Sequence, residues 1–102
     1  MRLSKTEMYA LRLALSGVSF PVFLFGSRTD QTAKGGDIDL LILAKGLDSK
    51  ACFELSIKVA VAFKNTCDEK IDVVVLDSDH LTAENRAFLE SISKLPLEFT
   101  EP

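Results

Sequence analysis

Asp37 and Asp39 stand two residues apart at the head of an apolar run that ends at Leu43. Side chains alternate across a strand, so both carboxylates point to one face, and Ile38 and Leu40 point to the other. Neighbouring carboxylates at the start of an apolar strand repel each other and lose part of their hydration. A divalent cation relieves that cost, and hard oxygen ligands suit Mg²⁺. Asp72 occupies the matching place in a second apolar run, Ile71 to Leu76. Three such carboxylates on adjacent strands can hold two metal ions roughly 3.5–4 Å apart, an arrangement used for in-line phosphoryl displacement. Gly26-Ser27-Arg28 follows another apolar run. A glycine at a strand end lets backbone approach a phosphate. Ser27 offers a hydroxyl and an amide, and a helical turn there would add further amides. Arg28 could contact a phosphate as a charged fork. Lys34, Gly35 and Gly36 end the loop, where they would flex over a substrate.

The elements that must position these residues are legible from periodicity and punctuation. Ser4 to Ser16 reads as a helix, with Ser4 and Glu7 spaced as a capping box and Gly17 ending it. Pro21 to Phe25 reads as a buried strand, and Gly26 to Gly36 as a loop with room for one helical turn. Asp37 to Leu43 is the second strand, and Ala44 to Leu47 turns the chain. Asp48 can cap a helix running to about Asn65, with Cys52, Leu55, Val59, Ala62 and Phe63 along one face. Lys70 to Leu76 is the third strand and Leu81 to Ser93 a last helix, leaving Leu95 to Pro102 as a tail. The first two strands can pair antiparallel, and a helix joins the second to the third, so a right-handed parallel crossover is expected. The predicted architecture is α+β: a small mixed sheet of three or four strands with helices packed on one face, in a single domain spanning 1–102.

Composition narrows the function classes. The chain has 102 residues, 47% hydrophobic and 26% charged, with a formal net charge of −3. Its basic residues are dispersed, so direct nucleic-acid binding, which rests on phosphate neutralisation, is not expected. Cys52 and Cys67 lack metal-site spacing and are read as reduced thiols. Charges interrupt the apolar positions of the first residues, and no apolar run is long enough to cross a bilayer. A cytoplasmic location is expected on that basis. His80, the single histidine, is read as a turn or capping residue, and the seven phenylalanines as core.

Alone, an Asp-x-Asp pair is ordinarily a solvated strand end. The combination is more specific: Phe25-Gly26-Ser27, nine residues, Asp37-Ile38-Asp39-Leu40, then a helix and Asp72 on a later strand. It resembles the DNA polymerase β-like nucleotidyltransferase superfamily, and within it the minimal nucleotidyltransferase domains, which are about this long and begin the loop with Gly-Ser-Arg. The sequence departs at Gly36, where the family often has Ser; a glycine there leaves the ligands intact but is expected to loosen the loop. The resemblance implies a nucleotidyltransferase fold and two Mg²⁺ ions held by Asp37, Asp39 and Asp72. It also implies ATP as substrate, with its phosphates on Gly26 and Ser27. Asp72 would help deprotonate an acceptor hydroxyl. Minimal domains of this kind often act as antitoxins by transferring AMP to a partner of the helical HEPN type, which makes such a toxin the expected partner. A second reading is a binding module that neutralises its partner by occlusion. A third, transfer to a small molecule, fits relatives with an added domain. Acceptor, base preference and homo- or hetero-oligomeric state stay open at this level.

Overall fold

The computed structural model describes residues 2–30 and 36–99. The first helix, α1 (Lys5–Ala14), starts at Ser4, whose hydroxyl accepts from the Glu7 amide while the Glu7 carboxylate accepts from the Ser4 amide. Both halves of the expected capping box are therefore made. Strand β1 (Val22–Phe25) runs into a single 3₁₀ turn at Gly26–Thr29. Strand β2 (Ile38–Leu43) leads to α2 (Ser49–Lys64), capped by the Asp48 carboxylate on the Ala51 amide. Strand β3 (Ile71–Leu76) follows, then α3 (Ala83–Ser91), capped by Thr82. Lys94–Pro96, read from sequence as the junction of last helix and tail, forms a short fourth strand, β4.

The sheet order is β3-β2-β1-β4, with β1 antiparallel to β2 and β4, and β2 parallel to β3. The antiparallel first pair and the parallel crossover both match the pattern expected from the loop lengths. On one face, Leu24, Ile38, Leu40 and Ile42 are fully buried against Leu11 of α1 and Val59 and Phe63 of α2. Each such side chain contributes about 1.5–3 kcal/mol by leaving water. The remaining helix, α3, also reaches the second face. Phe88 of α3 meets Phe25 edge-on, with ring centroids 5.5 Å apart. Phe25 lies opposite Asp39 and so shares its face, away from α1 and α2. The cause is visible in β1 and β2: Phe23, Phe25 and Leu41 make the second face apolar enough to need cover. Among the described residues, no helix is long and apolar enough to cross a membrane.

Candidate active site

The site is built on one row of the sheet. Phe25 lies opposite Asp39, and Asp39 is in register with Asp72 on β3. Lys94 lies opposite Phe25 on its other side, so Lys94, Phe25, Asp39 and Asp72 cross all four strands on one face. Asp37 sits just before β2 and is exposed, Asp72 is exposed, and Asp39 is half-buried between them. Burial pushes the Asp39 carboxyl above its ordinary value, and repulsion from Asp72 and then Asp37 pushes it further. The parallel register between β2 and β3 is what brings carboxylates from distant parts of the chain side by side.

Gly26 follows directly from Phe25, and its position explains its residue type. Its φ is +76°, and a Cβ there would fall on Asp39 Oδ2. Only a glycine lets the backbone lie against that carboxylate. At the far end of the loop Gly36 has φ +92°, and a Cβ there would collide with Ser27 Oγ. The two ends of the loop therefore touch, Gly36 on Ser27, which sets Asp37 beside the Gly-Ser turn. The expectation that glycine at this place loosens the loop is corrected: the close approach to Ser27 demands it. Within the turn, Thr29 Oγ1 donates to the Gly26 carbonyl at 2.7 Å and the Asp30 amide to the Ser27 carbonyl at 3.1 Å. Ser27 remains exposed. Lys34 and Gly35, expected to close the loop, lie outside the described residues.

Arg28 does not take the place expected of it. Its side chain is 8% exposed and points at α1. Nη2 pairs with Glu7 Oε2 at 2.8 Å and Nη1 donates to Glu7 Oε1 at 2.9 Å. Nη1 also donates to the Arg2 carbonyl, and Nε donates to the Gly36 carbonyl at 3.1 Å. The Arg28 fork is thus filled by a buried carboxylate and turned toward α1. Glu7 was legible from sequence only as half of a capping box. Burial works against its ionisation, but the hydrogen bond from Arg28, helped by Ser4, holds the carboxyl below its usual value.

Among the described residues, no three or more His, Cys, Asp or Glu side chains are gathered as a ready-made metal ligand set. Asp37, Asp39 and Asp72 lie at one end of β2 and β3 without being closed into a shell. The donor set nonetheless fits a hard divalent cation: oxygen ligands only, mutually repelling, at one strand end. A cleft of about 540 Å³ lies towards the opposite end of β3, lined by Leu47, Cys52, Phe53, Val75, Asp77 and His80. There His80 Nδ1 and Asp77 Oδ2 are 2.8 Å apart and the His80 side chain is 82% exposed, in keeping with a turn role.

The sequence profile described as polymerase beta, nucleotidyltransferase, matches residues 19–93, a span that takes in the loop, all three carboxylates and the crossover. The chain belongs to that family. Among solved structures it is similar to the crystal structure of a mutant of the toxin-antitoxin MntA-HpeT, at 28% identity and a TM-score of 0.49, covering 92% of this chain and 72% of that one. No curated protein sequence matches. As a member of the nucleotidyltransferase family, the chain carries its Gly-Ser turn and Asp-x-Asp pair on the end of one four-stranded sheet.

Proposed function

We propose that this nucleotidyltransferase-family chain transfers AMP from ATP to a hydroxyl on a partner protein, in a Mg²⁺-dependent reaction, as the antitoxin of a HEPN-type pair. One observation carries the reading: the bare Cα of Gly26 lies against Asp39, whose carboxylate is in register with Asp72. That contact sets the Gly-Ser turn beside acids whose mutual repulsion a bound cation would relieve. Asp37, Asp39 and Asp72 would hold two Mg²⁺ ions, which when bound neutralise charge developing on the phosphate oxygens. The Ser27 hydroxyl and the amides of the 3₁₀ turn bind and orient the triphosphate. Asp72, the most exposed of the pair on β2 and β3, accepts the proton of the acceptor hydroxyl at a carboxylate oxygen. The acceptor oxygen then forms its bond to the α-phosphorus as the bond to pyrophosphate breaks.

The experiment is incubation of the chain with α-labelled ATP, Mg²⁺ and its partner toxin. Label is expected on the partner with the wild type and at background with Asp37→Asn/Asp39→Asn. Equal labelling by the two would overturn the assignment. A double variant that transfers nothing yet still silences the partner would favour neutralisation by occlusion.

A further inference from the structure

The loop that carries Ser27 and Asp37 is fastened to α1 by the two charged side chains buried among the described residues, Glu7 and Arg28. The Arg28 guanidinium meets four acceptors at once: both Glu7 carboxylate oxygens, the Gly36 carbonyl and the Arg2 carbonyl. One of these, Gly36, is the residue against which Ser27 packs and the one that precedes Asp37. Glu7 is itself fixed, since its carboxylate also closes the capping box of α1. Arg2 adds to the same brace from the chain's beginning. Its amide donates to the Arg28 carbonyl at 2.8 Å, and its guanidinium reaches the Asp30 and Ser27 carbonyls.

A buried ion pair contributes little net stability compared with a well-packed apolar pair, yet removing one partner strands a charge. Such a pair is best understood by what it fixes. Here it fixes the separation of the loop's two ends, and hence of Ser27 from Asp37. We infer that Glu7 and Arg28 are positioning residues: a buried clamp that presets the Ser27–Asp37 geometry for the triphosphate, neither side chain touching the nucleotide. The inference rests on the proposed nucleotide site for its functional half. Its structural half stands by itself.

Two readouts on the full chain separate those halves. The first is amide hydrogen exchange of wild type, Glu7→Gln and Arg28→Lys without nucleotide. Lysine keeps the charge but not the fork, so it cannot reach four acceptors. The clamp predicts exchange rising at least tenfold in residues 26–30 and 36–37 while β2, α2 and β3 keep their protection. Unchanged exchange in the loop, or a uniform rise over the whole chain, would overturn it. The second is titration with Mg²⁺ and ATP. A clamp predicts that Glu7→Gln weakens binding about as much as Arg28→Lys, and that the double variant is little worse than either. If Arg28 instead reached a phosphate, Glu7→Gln would free it and leave binding equal or tighter, which would contradict the inference. Wild type that binds no nucleotide at all would sink the proposed function, while the exchange result would still decide the clamp.

Discussion

Gly26 and Gly36 tie backbone conformation to chemistry more tightly than any carboxylate does. Both lie at positive φ, where a side chain costs roughly 1–2 kcal/mol before any collision is counted. Each added Cβ would also meet a site atom, Asp39 Oδ2 or Ser27 Oγ. Gly26→Ala and Gly36→Ser are therefore expected to destabilise the chain and, by pushing Asp39 or Ser27 out of place, to weaken Mg²⁺-dependent ATP binding by about tenfold, or about 1.4 kcal/mol. The second substitution restores the serine common at this place in the family, so binding that improved would refute the reading of the loop. Asp39 gives a pH test. Its carboxyl lies above the ordinary 3.8 in the folded chain. The folded state thus holds more protons than the unfolded one between those two values, and metal-free stability falls as pH rises through that interval. Asp39→Asn removes the effect. Thermal melts are expected to show the metal-free wild type losing ground to Asp39→Asn as pH rises from 3.8, and Mg²⁺ restoring the wild type alone at pH 7. A constant gap between the two across that range would contradict the placement of Asp39.

Elements were read from the sequence with boundaries close to those observed, for identifiable reasons. Ser4, Asp48 and Thr82 each supply an oxygen to the amide three residues on, and such caps are written in residue type. Asp48→Ala is expected to cost about 1 kcal/mol, lowering Tm by about 4–8 °C. It should leave ATP affinity unchanged, because α2 buries its apolar face on the side of the sheet opposite the carboxylates. A calorimetric melt with a parallel ATP titration checks both halves. What the sequence hid is equally physical. Lys94–Pro96 is three residues long with a proline inside it, too short for periodicity, and it exists because the edge of β1 offers hydrogen bonds such as that from the Leu97 amide to the Val22 carbonyl. The sequence marks Phe23 and Phe25 as core without assigning them a side, so it does not show the Phe88 contact of α3. The Glu7 contact of Arg28 is hidden because a lone arginine after Gly-Ser carries no sign of its partner, 21 positions earlier on α1.

At the scale of the whole molecule, the fold does one thing for the site: it aligns three separate stretches of chain. The β1 end brings Gly26, the β2 start brings Asp37 and Asp39, and the crossover through α2 sets Asp72 in register. The helices α1 and α2 contribute from the far face, α2 by anchoring β3 and α1 through the Glu7–Arg28 bridge. The three carboxylates and the Gly-Ser turn were legible because their spacing survives in one dimension. The braces that hold them were not, because they join residues distant in the chain. On the proposed function, this aligned strand end binds a nucleoside triphosphate through a divalent cation. Calorimetric titration of ATP into the wild type and into Asp39→Asn, each with and without Mg²⁺, tests it most directly. Binding by the wild type is expected to require Mg²⁺ and to fall at least tenfold in the variant. Binding of equal strength in both chains, or binding indifferent to Mg²⁺, would contradict it.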